Sequence, residues 1–64
     1  MKMVVETVLG TYQCREYFND DLDHGIEISR NDNHVGKILG IQLPDEEGLD
    51  EFIKRIELWV CKND

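Results

Sequence analysis

Four residues of this 64-residue chain carry the donor chemistry of a soft metal site: Cys14, His24, His34 and Cys61. Thiolate and imidazole together suit zinc, but zinc sites are usually preorganised by close ligand pairs such as C-x-x-C or H-x-x-x-H. These four are scattered along the chain and form no such pair, so neither a metal nor any other cofactor is expected. The two cysteines read as small apolar side chains, Cys14 in a strand and Cys61 near a helix end. A Cys14–Cys61 disulfide ranks next, ahead of zinc. The stretch from Asn19 to Ile26, NDDLDHGI, approaches a calcium loop, with Asn19, Asp21 and Asp23 at alternate ligand positions. His24 falls where the loop needs glycine, and Arg30 where it needs a bidentate glutamate. A solvated acidic loop is the reading.

Catalysis finds no better footing. Cys14 can be paired on paper with His24 or His34, but there is no glycine-rich phosphate cradle and no nucleophile elbow. Asp45-Glu46-Glu47 reads as exposed, without the burial that tunes a carboxylate for acid–base work. The chain is therefore not expected to be an enzyme.

Charge carries more information. Fourteen acidic residues against seven basic ones leave a net charge of −7. That balance opposes binding to nucleic acid or to an anionic membrane, both of which depend on Lys and Arg. It points to another protein with a basic surface as the partner. The acids fall into two clusters, Asp20, Asp21, Asp23 and Glu27, and then Asp45, Glu46, Glu47, Asp50 and Glu51. Asp20, Asp21, Asp23, Glu27, Asp45, Glu46 and Glu47 are the candidate partner-binding residues, together with Leu58. The reading that follows is a small, non-enzymatic regulator or inhibitor acting by protein–protein interaction, in its sharper form a mimic of nucleic-acid phosphates. The alternative is a homo-oligomeric module that binds single-stranded nucleic acid on its sheet face. It would use stacking aromatics drawn from Tyr12, Tyr17, Phe18, Phe52 and Trp59, with Arg15, Arg30 and Lys37 as phosphate contacts. Core packing is the stronger reading for Phe18, Phe52 and Trp59.

The elements that must position these groups begin with LDEFIKRIELWVC, Leu49 to Cys61. Leu49, Phe52, Ile53, Ile56 and Val60 recur at helical spacing and form one apolar stripe. Asp50 and Glu51 lie in the first turn and Lys54, Arg55 and Lys62 further on, which suits the helix dipole. Leu58 lies opposite the stripe and is the candidate contact with a second subunit in a homodimer. The helix is expected over about 48–61, capped by Asp45 or Gly48.

Upstream, Met3 to Phe18 is rich in strand formers and interrupted by Gly10, which either bends one long strand or separates two. In one register Val4, Val8, Tyr12, Cys14 and Phe18 share a face with Glu6 and Glu16. A switch of face at Gly10 partly relieves that conflict. Asn19 to His24 is a loop by composition. Residues 25–31 alternate, and matching apolar residues across the next turn favours a four-residue loop from Asp32 to Val35. That register sets Ile28 opposite Leu39 and Ile26 opposite Ile41, with Leu43 extending the face and Ile38 outside. Pro44 ends the last strand, expected over 36–43.

The expected fold is a single two-layer α+β domain over 1–64, an antiparallel meander of three or four strands covered on one face by a C-terminal helix. In outline this layout is similar to the small single-stranded-DNA-binding coactivator domains, which also place a helix after a four-strand meander. The similarity is one of element order.

No segment approaches the roughly 20 apolar residues that span a bilayer. MKMVVETVLG has Glu6 inside its short apolar run and reads as a strand, not a signal peptide. The expected location is cytoplasmic, with reduced thiols. A chain this small buries only about 60% of its unfolded surface, so association with a copy of itself or a partner is expected.

Overall fold

The computed structural model describes residues 2–18 and 23–64. Strands β1 (Lys2–Thr7), β2 (Gly10–Phe18), β3 (His24–Arg30) and β4 (Asn33–Leu39) are followed by helix α1 (Leu49–Asn63). The sheet order is β1-β2-β3-β4, each neighbour antiparallel. This is the expected α+β architecture, a four-strand meander with one C-terminal helix over one face.

The N-terminal segment is two strands, and the face switch occurs between them. Val5 pairs with Tyr12 and Met3 with Cys14, so odd residues of β1 and even residues of β2 look toward the helix. Val8 and Leu9 form the turn, Thr7 Oγ1 donating to the Gly10 carbonyl (2.9 Å) and accepting from Leu9 N–H (3.1 Å). Gly10 has φ 133°, a conformation that a side chain would strain. Val4 and Val8 consequently face solvent. Phe18 is 73% exposed, against the expectation that it packs in the core. It ends β2 opposite His24, near Ile41 and Gln42, outside the cluster that the helix covers. His24, expected in the preceding loop, opens β3.

The β3–β4 register also differs from the expected one. A two-residue turn at Asn31-Asp32, with φ 51° and 66°, sets Ser29 opposite His34, Ile28 opposite Gly36 and Ile26 opposite Ile38. Asparagine and aspartate tolerate this left-handed turn better than most residues. Val35 is the extra residue of a bulge, so apolar-to-apolar matching without a bulge misplaces everything beyond it. Ile38 therefore packs against the core, while Leu39 is exposed instead of lying beneath the helix. The strand ends at Leu39, before the expected limit, and Gly40 (φ 84°) turns the chain while its N–H bonds the His24 carbonyl at 2.8 Å. Gly36 has a packing reason: an added Cβ would sit 2.6 Å from Cη2 of Trp59.

Helix α1 lays Phe52, Ile56 and Val60 over Val5, Tyr12, Cys14, Ile26 and Ile28, all buried. Ile41, Leu43, Ile53 and Trp59 border this cluster. Gly48 is the N-cap and offers no side-chain bond. Asp45 holds that turn instead, its Oδ1 accepting from the Gly48 N–H at 3.0 Å. At the other end Asn63 Nδ2 donates to the Trp59 carbonyl at 2.7 Å. Leu58 is 67% exposed, on the side away from the sheet.

Two substitutions test this packing. Ile56→Ala should cost on the order of 2–5 kcal/mol, whereas Leu58→Ala should change the denaturant midpoint little. Gly36→Ala should cost about 1–3 kcal/mol through overpacking and shift Trp59 fluorescence. An Ala at position 36 without effect on either readout would refute the register that puts this residue under the indole.

Candidate interaction surface

β2 ends, β3 begins, β4 ends and α1 begins at the same end of the molecule. The bond from Gly40 N–H to the His24 carbonyl ties the β4 exit to the β3 entry. Ile41, Gln42 and Pro44 then run on toward Gly48 and Phe52. Of the first acidic cluster, Asp23, at the β3 entry, lies at the same end as Asp45, Glu46 and Glu47 before the helix and Asp50 and Glu51 in its first turn, all exposed. Asp20 and Asp21, with Asn19 of the calcium-like stretch, lie outside the described residues. The helix N-terminus carries positive partial charge and stabilises acids placed there. Asp50 and Glu51 are followed one turn later by Lys54 and Arg55, the spacing at which opposite charges offset one another. Asp45, Glu46 and Glu47 have no such neighbours in sequence.

Beside these acids lies an open cleft of about 430 Å³ between Ile41, Gln42 and Pro44 on one side and Glu51, Phe52 and Arg55 on the other. Ile41, Pro44 and the largely buried Phe52 supply its apolar part, Glu51 and Arg55 are its charged lining residues, and Asp45 reaches its edge through the bond to the Gly48 N–H.

Glu27 is elsewhere. It lies on the helix-free face of the sheet, where cross-strand pairing lines up Lys2, Arg15, Glu27 and Lys37, one from each strand. Arg15 Nη2 donates to Glu27 Oε1 at 2.7 Å, and Lys37 Nζ lies 4.3 Å from the Tyr17 ring centroid. This face therefore carries three cations on a chain that is acidic overall. A groove of about 220 Å³ runs over it between Lys2, Arg15, Glu27, Ser29 and His34. Arg30, grouped with these cations by sequence, points instead toward the far end of the helix.

That far end holds a contact that sequence reading missed. The Tyr12 hydroxyl donates to Asp64 Oδ2 at 2.6 Å, and Arg30 Nη1 lies 3.5 Å from the same oxygen. The Arg30 guanidinium also sits 5.9 Å from the Tyr12 ring centroid. A carboxylate at a helix C-terminus opposes the dipole, and Arg30 offsets that. The available signal was slight: a tyrosine on a core face needs a partner for its hydroxyl. Nearby, Glu57 Oε1 accepts from Val8 N–H at 3.2 Å and ties the first turn to the helix.

The soft donors are dispersed. Cys14 is buried beneath the helix, His24 opens β3, His34 lies on the helix-free face and Cys61 is exposed on α1. Both cysteines are free thiols, and no group of three or more His, Cys, Asp or Glu placed to hold a metal occurs among the described residues. No helix is long and apolar enough to cross a membrane among the described residues. None of the protein-family models, curated proteins or solved structures compared with the chain matches it.

Burial pushes the Cys14 thiol up to about 11. The hydrogen bond to Asp64, then burial, raises Tyr12 above the ordinary phenol range. In the unfolded chain the thiol ionises at about pH 8.5, so the folded state holds its proton over the interval between. Stability should be intact below pH 8.5 and fall as pH rises toward 11, because the unfolded state then binds fewer protons. Denaturant melts across that range should show the fall, reduced in Cys14→Ala relative to its own neutral-pH value. An aromatic disulfide reagent should modify Cys61 at once and Cys14 only on unfolding. Equal rates for both would contradict the burial of Cys14.

Proposed function

We propose that this is a small intracellular binding protein, not an enzyme, which engages a basic surface on another protein through its acidic end. The observation that carries the reading is the set of exposed acids Asp23, Asp45, Glu46 and Glu47 at the end of the molecule where an open cleft is lined by Ile41, Pro44 and Glu51 together with Arg55. A Lys or Arg side chain of a partner could lay its stem against Ile41 and Pro44 with its head toward Glu51. Asp45, Glu46, Glu47 and Asp23 would steer the partner, and the cleft would hold one inserted basic side chain. In the sharper form of this reading the carboxylates stand in for nucleic-acid phosphates, and the protein inhibits a nucleic-acid-binding partner by occupying its basic site.

A second reading rests on a different observation, the alignment of Lys2, Arg15 and Lys37 with Tyr17 on the helix-free face. These residues resemble the cations and stacking ring of a single-stranded nucleic-acid platform. Glu27 stands in the middle of that row, and Tyr17 is the single aromatic of the described part of the face. The acidic end is therefore preferred.

The test begins with a partner captured from the source cell. Steering raises association rates by about 10- to 1,000-fold and is screened by salt. Neutralising Asp45, Glu46 and Glu47 together to Asn, Gln and Gln should slow association about 10-fold at low salt and much less at high salt. Asn at position 45 keeps an oxygen to accept from Gly48, so the fold should persist. An association rate untouched by these changes, and insensitive to salt, would rule the acidic end out.

A further inference from the structure

The two edges of the sheet are not equivalent. β4 is bulged at Val35 next to its turn, and a bulge twists an edge away from easy pairing. β1 pairs regularly with β2 along all six residues, from Lys2↔Arg15 to Thr7↔Gly10, and its other side has no neighbouring strand among the described residues. A two-residue turn makes the closing pair, Thr7 and Gly10, a hydrogen-bonded one. Alternation then directs the N–H and C=O groups of Thr7, Val5 and Met3 to β2, and those of Lys2, Val4 and Glu6 to the open side.

Those three residues also share the helix-free face, and their order is positive, apolar, negative. Val4 is 59% exposed. Lys2 faces a like charge across the ladder, Arg15, and Glu6 faces Thr11. Among the described residues neither Lys2 nor Glu6 has an ion-pair partner. Charges on an edge ordinarily deter pairing with other strands. Here the two charges are opposite in sign and evenly placed about Val4, so the edge deters a foreign strand and is complementary to itself.

We propose that the occupant of this edge is a second copy of the chain, bound through antiparallel β1–β1 pairing on a two-fold axis at Val4. Lys2 of each copy then lies opposite Glu6 of the other, and Val4 opposite Val4. The open N–H and C=O groups of Lys2, Val4 and Glu6 are all used across the junction, and two four-strand sheets become one of eight. The row Lys2, Arg15, Glu27 and Lys37 gains an acid at the end where two cations stand side by side. An isologous interface of this kind closes after two copies and cannot propagate into a fibre. The inference is independent of the acidic end, which lies away from the two-fold axis.

Sedimentation equilibrium of the full chain, with Lys2→Glu, Glu6→Lys and the double exchange, tests it. The parent should approach twice 7.5 kDa as concentration rises. Each single reversal sets like charges opposite one another at both ends of the junction and should give monomer, with unchanged circular dichroism. The double exchange restores opposite charges and should restore the dimer. In a Cys61→Ser background, Val4→Cys should join two copies by a disulfide under mild oxidation, since Cα atoms of a directly opposed pair lie about 5.5 Å apart. A parent that stays monomeric, a dimer indifferent to the single reversals, or a double exchange that fails to re-associate would each overturn the proposal.

Discussion

One helix has to cover one face of a four-strand sheet, and almost everything else in the molecule follows from that. Among the described residues the buried apolar side chains are Val5, Tyr12, Cys14, Ile26 and Ile28 from the strands with Phe52, Ile56 and Val60 from the helix, and no charged side chain is buried with them. No second layer covers the opposite face among the described residues, so alternation along each strand decides which residues may be charged. The bulge at Val35 and the small Gly36 are part of the same constraint. They bring Ile38 inward and open the space that Trp59 fills. The contact of Glu57 with the first turn and that of Asp64 with Tyr12 and Arg30 hold the helix at its C-terminal half. The alkaline rise of Cys14 is another consequence of this cover.

The same constraint sorts the charges. Asp23 and the acids from Asp45 to Glu51 lie at the end where β3 begins and the β4–α1 connection leads to the positive end of the helix, while Lys2, Arg15 and Lys37 line the helix-free face. A net charge of −7 conceals this division. In the proposed reading the acidic end receives a basic side chain, and the cationic face ends at the β1 edge proposed to pair with a second copy. Both surfaces can operate in one molecule, since the two-fold axis would lie at β1 and the cleft lies between the β4 exit and the start of α1.

Much of the fold was legible because it rests on periodicities that one segment shows by itself. The stripe from Leu49 to Val60 placed the helix, its buried residues and the exposed Leu58. Alternation in β3 put Ile26 and Ile28 on the dry face. What could not be read depends on two segments at once. The β3–β4 register turns on a bulge, and nothing in the apolar pattern distinguishes Val35 as an extra residue; only Trp59, contributed by the helix, explains why Gly36 lies opposite Ile28. Phe18 looked like core because it is large and apolar, yet its place at the end of β2 leaves it uncovered. Of the candidate surface, the residues were legible but their grouping was not. Asp23 and Asp45–Glu47 come to one end, whereas Glu27, adjacent to the first cluster in sequence, belongs to a mixed-charge row on the opposite face of its strand.

The claim that the acidic end is the binding surface is tested most directly by backbone amide shifts during titration with an arginine-rich peptide, an unstructured stand-in for a basic partner. The account predicts that perturbations concentrate at Asp23, Ile41, Gln42 and Asp45 to Phe52, weaken with added salt, and leave Arg15, Tyr17, Glu27 and Lys37 unmoved. Perturbations centred on Glu27 and the helix-free face, or on Leu58, with the residues around the cleft unchanged, would contradict it.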